Sequence, residues 1–184
     1  MSETTNPEIV TYHDQPVRLE ELLVKHDQLQ DEVNALKKEQ KKAVRRYRRE
    51  EELKPYQAEL IAHIKKFTKA KIYHHSCGSI HNILDDMIEI GIEILNPVQA
   101  TATGMETDQL KKRFGDKLTF WGAIDTFKVL PFGSVEDVRK EVETRIRDLS
   151  PNGGYVLGSV HNMQVDVPPE NVEAMFTTAL ETKL

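Results

Sequence analysis

The chain has 184 residues, a formal net charge of −5 and 39 % hydrophobic residues. That apolar supply supports one core with an appendage and excludes a wholly disordered chain, while the acidic balance gives no general attraction to nucleic acid or to an anionic membrane surface. A single cysteine excludes an internal disulfide and suits a reducing compartment; with no membrane-length apolar run and no signal-peptide core in residues 1–16, a cytoplasmic protein is expected.

Residues 1–16 contain Ser, Thr, Asn, Asp and two prolines, Pro7 and Pro16, and are expected to form a mobile, disordered tail. Residues 17–53 predict one long amphipathic, coiled-coil-like helix without an internal Gly or Pro. Leu19, Leu22, His26, Leu29, Val33, Leu36, Gln40, Ala43 and Tyr47 alternate at three- and four-residue steps, a heptad seam with polar interruptions at His26 and Gln40. So narrow a seam predicts packing on a partner helix or along the main domain. The second half is basic, with Lys37, Lys38, Lys41, Lys42, Arg45, Arg46, Arg48 and Arg49. A solvated face explains this run more simply than nucleic-acid contact, since only Tyr47 interleaves it and no recognised module surrounds it.

Residues 54–184 predict the globular part. Pro55 fits the first turn of a helix running to about residue 68, with Tyr56, Leu60, Ile61, Ile64 and Phe67 on its apolar side. Strands are predicted at 70–75, 92–96, 118–124 and 155–160, short and largely apolar, as strands covered on both faces should be. Helices are predicted at 80–90, 107–114, 135–149 and 169–180, and Ser134 with Asp137 resembles a capping box. This alternation specifies an α/β fold of four parallel strand–helix units. A closed (β/α)8 barrel needs eight strands. An open sheet of four leaves exposed edges, so a companion half, a second copy or the N-terminal helix is expected to cover them.

The chemistry concentrates at His75-Ser76-Cys77, followed by Gly78. On a strand, residues two apart point to the same side, so an imidazole and a thiol face the same space. Both bind soft or borderline metals. The plainer reading of a lone Cys77 is a small buried apolar residue. His74 should face the opposite way and pack between strand and helix. Trp121 reads as core filling. His63 and His81, on helices, carry no signal.

Several phrases, in order, resemble the C-terminal half of the uroporphyrinogen decarboxylase family. They are Leu53-Lys54-Pro55-Tyr56, His75-Ser76-Cys77-Gly78, Glu93-Ile94-Leu95-Asn96-Pro97-Val98-Gln99, Phe120-Trp121-Gly122-Ala123-Ile124-Asp125 and Val167-Pro168-Pro169-Glu170-Asn171-Val172. The resemblance runs from about residue 53 to the end and leaves helix 17–53 outside it. It implies half of a (β/α)8 TIM barrel, strands five to eight, preceded by a long helix. The family's first four strands, with the decarboxylase's arginine-rich entrance and catalytic aspartate, have no counterpart here.

One branch of that family decarboxylates uroporphyrinogen, in tetrapyrrole (porphyrin) biosynthesis, without a cofactor. The other transfers methyl groups between a corrinoid protein and a thiol, using zinc. Its motif is His-x-Cys-Gly plus a distant cysteine. His75 and Cys77 match the first part, and His161 stands where the second cysteine is expected, which departs from the pattern. Histidine also ligates zinc, so the implied site is His75, Cys77 and His161 with one open position for a thiol. Barrel chemistry sits at strand C-terminal ends. There Gln99, Asp125 and His161 are candidate substrate-binding residues, and no catalytic residue is assigned. Gln99 either meets substrate or fixes its loop, and Asp125 fits a capping role better than a base. Three functions follow: zinc-dependent corrinoid/thiol methyl transfer, tetrapyrrole decarboxylation, or a non-catalytic fragment or subunit. The expected partners are a second copy or a companion half-barrel chain, and a corrinoid protein.

Overall fold

This computed structural model describes residues 9–12, 15–48 and 53–183, and the chain divides into two units, residues 1–46 and 47–184. In the first unit, β1 (Ile9–Tyr12) pairs antiparallel with β2 (Gln15–Arg18), Ile9 opposite Arg18 and Tyr12 opposite Gln15. This ladder lies within and just beyond the stretch expected to be a mobile tail, whose residues 1–8 and 13–14 are outside the described residues. Ile9, Val10, Thr11 and Tyr12 are β-branched or aromatic and favour an extended pleat.

The α1 helix (Leu19–Arg48) follows directly. Its Leu, Lys, Glu, Gln, Ala and Arg content and its lack of Gly or Pro favour helix throughout. The side chains described, residues 23–44, are exposed except for the half-buried Gln40 and Val44. The seam residues Leu29, Val33 and Leu36 therefore face solvent. The side chains of Leu19, Leu22 and Tyr47 lie outside the described residues, as do residues 49–52 at the end of the expected helix.

The second unit begins with α2 (Lys54–Lys65), which has Pro55 in its first turn, where a missing N–H costs no intrahelical bond. Of its expected apolar side only Ile61 is buried; Tyr56, Leu60, Ile64 and Phe67 are exposed. Next come β3 (Tyr73–His75), a 3-10 turn (His81–Ile83) and α3 (Leu84–Glu89), so the single helix expected over 80–90 is split. β4 (Ile94–Asn96), α4 (Thr107–Phe114) and β5 (Thr119–Ile124) follow. After them stand α5 (Val129–Phe132), α6 (Val135–Leu149), β6 (Tyr155–Ser159) and α7 (Pro169–Glu181). α5, unforeseen in the sequence, is a single turn, and Pro131 sits early enough in it to be tolerated. The capping box at α6 is present: Ser134 Oγ accepts from the Asp137 N–H at 3.2 Å, and Asp137 Oδ2 accepts from the Ser134 N–H at 2.9 Å.

The four strands form one parallel sheet of order β3-β4-β5-β6. His74, Leu95, Phe120 and Tyr155 stand in one row of the register. This row faces the helices, and Leu95 and Phe120 are fully buried there with Leu84 and Met105. His74 packs on this side as expected, and burial, with a smaller contribution from neighbouring His75, lowers its pKa below the ordinary histidine range. A second cluster, Ile124, Leu130, Val138, Val142 and Met175, joins the end of β5 to α5, α6 and α7.

The opposite face of the sheet is open, which corrects the expectation of strands covered on both sides. Tyr73, Trp121 and Val156, alternating with the buried row, are 47 %, 40 % and 37 % exposed. Trp121 is therefore not core filling; its ring meets Tyr73 edge-on at 5.5 Å. The reason is geometric. The inner face of a barrel segment is covered by the strands across the barrel, and four strands cover only their outer face with helices.

Within the second unit, charge pairs tie the end of α2 and the entry to β3 to the start of β4. Lys65 and Lys71 both donate to Glu93, whose carboxylate also accepts from the Ile72 N–H at 3.2 Å. These donors, Lys65 first, hold the Glu93 carboxyl at a pKa of about 2. A depressed carboxylate contributes stability that is complete above its unfolded pKa and is lost as pH falls toward the folded value. Glu93→Gln is accordingly expected to flatten the stability profile between about pH 4.5 and pH 2, with a loss near neutrality of only about 1 kcal/mol because solvent screens the network. Urea midpoints of both proteins at several pH values measure this.

Candidate metal centre

β3 ends at His75, and the chain then leaves the sheet, with the Ser76 N–H donating to the Asn96 carbonyl at 2.7 Å. Gly78 has φ +81°, a conformation glycine adopts without penalty, so the chain turns just after Cys77. The Gln99 Oε1 accepts the Gly78 N–H at 2.8 Å and pins that turn. Of the two roles open to Gln99, the loop-fixing one is visible in this hydrogen bond.

His161 lies two residues past β6, at the far edge of the sheet from β3. With strands about 4.8 Å apart, a flat sheet would hold these two edges about 14 Å apart. Instead Cys77 Sγ lies 3.1 Å from His161 Nε2 and 3.4 Å from His75 Nε2. The sheet must curl to allow this, as a barrel segment does. The three donor atoms all lie within 4.8 Å of one another, and all three residues are exposed.

The donor set fits a zinc-sized ion. Tetrahedral Zn–S and Zn–N bonds of about 2.3 and 2.0 Å place sulfur and nitrogen about 3.5 Å apart. The observed S···N distances of 3.1 and 3.4 Å are close to this. Three protein donors at an exposed rim leave a fourth position accessible, the arrangement of catalytic rather than structural zinc sites.

Asn96, absent from the sequence-derived site, orients the His75 ring. It ends β4, in register with His75, and is buried. Its Nδ2 donates to the Trp121 carbonyl at 3.4 Å, which turns Oδ1 toward His75 Nδ1 at 2.7 Å. An acceptor at that position requires Nδ1 to carry the ring proton. The lone pair is then on Nε2, the atom facing Cys77. A polar residue at a strand end beside the histidine strand was the available signal for this role.

Asp125 is turned to its own loop. It is 4 % exposed; its Oδ1 accepts the Phe127 N–H at 2.7 Å and its backbone carbonyl accepts from Leu130 at 3.0 Å. This is the capping geometry that the sequence favoured over a base. The loop it shapes presents Phe127, half exposed, edge-on to the His161 ring at 6.2 Å. Phe127 was also missed by the sequence; it gives the site an apolar flank. Two residues before Asp125, Ala123 holds φ +82°, uncommon outside glycine, and such strain concentrates near functional sites. Among the described residues, no helix is long and apolar enough to cross a membrane.

Comparison with known proteins agrees with the fold of the second unit. The family model described as uroporphyrinogen decarboxylase (URO-D) matches residues 42–182, beginning inside α1 and earlier than the phrases in the sequence indicated. A uroporphyrinogen decarboxylase of Trichodesmium erythraeum (strain IMS101) is 26 % identical over 127 residues, 69 % of this chain and 34 % of that protein. A solved structure, a methyltransferase from Methanosarcina mazei, has a TM-score of 0.53 at 21 % identity, over 71 % of this chain and 35 % of that one, and shows the fold. The chain thus spans about a third of the length of each. An α/β half of a (β/α)8 barrel behind a long helix, with the family model matched over most of its length, places this chain in the uroporphyrinogen decarboxylase family.

Proposed function

We propose that this chain carries the zinc-binding part of a methyl-transfer site, with His75, Cys77 and His161 as the ligands and a thiol as methyl acceptor. The observation that carries this reading is the convergence of two imidazole nitrogens and one sulfur at the barrel rim. Zinc bound there would supply a Lewis acid that favours the thiolate form of the acceptor, the form that attacks a methyl group. Asn96 holds the His75 tautomer, Gln99 holds the turn that carries Cys77, and Phe127 keeps one side of the site apolar. A corrinoid carried by a partner protein is the methyl donor in this reading, and the Methanosarcina mazei protein of similar fold is a methyltransferase.

The test is elemental analysis of protein prepared without chelator, followed by transfer from methylcobalamin to a small thiol, with and without candidate companion chains. About one zinc per complete site is expected; protein devoid of metal and unable to take it up defeats the proposal. Turnover of uroporphyrinogen that survives Cys77→Ala would instead assign the decarboxylase activity named for the Trichodesmium relative.

The orienting role of Asn96 makes a separate prediction. Asn96→Leu should weaken zinc binding about 10–100-fold, whereas Asn96→Asp, which keeps the acceptor, should retain it. Competition with a chromogenic chelator measures both, and equal behaviour of the two variants would refute the role.

A further inference from the structure

We propose that two copies of this chain associate through α1 as an antiparallel two-helix coiled coil. α1 is 30 residues long, about 45 Å and about four heptads. Its apolar stripe is uncovered: Leu23, Leu29, Val33 and Leu36 are between 40 % and 69 % exposed. An isolated amphipathic helix with an unburied stripe gains most by packing on a partner.

Charge selects the occupant and its direction. Between residues 23 and 33 the helix is net acidic, with Asp27, Asp31 and Glu32 against Lys25. Between residues 34 and 44 it is net basic, with Lys37, Lys38, Lys41 and Lys42 against Glu39. A parallel pair would set like charges side by side along its whole length. An antiparallel pair lays the acidic half of each copy along the basic half of the other, so the surface is complementary to itself. A nucleic acid or an acidic peptide would satisfy the basic half only.

The stripe's shape agrees. With Val33 at position a and Leu29 and Leu36 at d, Leu23 and Val44 fall at e positions near opposite ends. Antiparallel pairing brings e against e, so Leu23 of one copy meets Val44 of the other and the apolar contact widens at both ends. A symmetric two-copy interface of this kind uses the same patch on each chain and closes on itself.

Sedimentation of the full chain over a range of concentrations tests the proposal. A reversible dimer is expected, weakened by salt, and Leu29→Asp with Leu36→Asp should leave a monomer whose sheet and helix content is otherwise kept. Changing Lys37, Lys38, Lys41 and Lys42 to Glu should weaken the dimer at least tenfold. Adding Asp27→Lys, Asp31→Lys and Glu32→Lys should restore it, because both halves are then inverted together. In a parallel pair each set would raise the like-charge repulsion of the half it changes, so the second set would weaken the pair further and not restore it. In a Cys77→Ser background, Leu23→Cys chains should form an intermolecular disulfide only when mixed with Val44→Cys chains. A chain that stays monomeric at all concentrations, or Leu23→Cys chains that cross-link to each other, overturns the proposal.

Discussion

Replacing Cys77 by alanine is expected to lower affinity at the proposed zinc site by about two to three orders of magnitude while leaving the fold intact. A four-ligand zinc site at neutral pH is worth about 10–16 kcal/mol, so one ligand's share is about 2.5–4 kcal/mol. Of the three candidate donors Cys77 is the one sulfur and the only one that would be anionic with a metal bound, and it lies between the two histidines at 3.4 and 3.1 Å. Its side chain is exposed, so its removal leaves no cavity in the core. Metal content by mass spectrometry and the urea midpoint should therefore separate: the first collapses and the second barely moves. Because Cys77 is the sole thiol, the wild-type protein offers an independent readout. Added zinc should slow its alkylation, and a chelator should restore the rate. Alkylation indifferent to zinc would show that the thiol is not a ligand.

Phe120→Ala should be the most destabilising single change in the second unit, by about 3–5 kcal/mol. Phe120 is fully buried and stands in the middle of the row that runs from Leu95 to Tyr155. Its ring fills space between β5 and the helices, and alanine would leave a cavity that the surrounding parallel strands cannot close without shifting their register. A domain of this size has about 5–15 kcal/mol in total, so the variant should be partly unfolded at moderate urea. Phe120→Leu should cost much less, because most of the volume returns. Urea titration followed by far-ultraviolet circular dichroism measures both. Trp121, its neighbour on the open face, should tolerate alanine far better, since it is 40 % exposed.

The positions of the strands, the helices 107–114 and 135–149, and the capping box at Ser134 were readable from the chain. Each depends on contacts within a few residues: period-two or 3.6-residue burial, or a side chain reaching its own helix end. Strand lengths were overestimated at 70–75, where pairing covers only Tyr73–His75, because register with β4 and not residue type ends a ladder. The covering of both sheet faces was misjudged for a related reason. An apolar run shows that a strand wants burial, not whether these residues also supply the layer that buries it. The capping geometry of Asp125 could be anticipated because it serves the next two residues; the loop-fixing bond of Gln99 could only be offered as one alternative.

The sequence established the α/β class and the alternating units, consequences of local backbone geometry; it grouped His75 with Cys77 by strand pleat, whereas Cys77 lies past the end of β3, in the turn before Gly78. His161 entered only through the family resemblance, since nothing within its own neighbourhood marks it as a ligand. That it reaches Cys77 across 84 residues, that Asn96 faces the His75 ring and that Phe127 flanks the cluster were decided by tertiary structure. The physical reason is curvature. Side chains from the outermost strands meet only when the sheet between them bends toward a barrel axis, and that bend is a collective property of four paired strands and the helices packed against them.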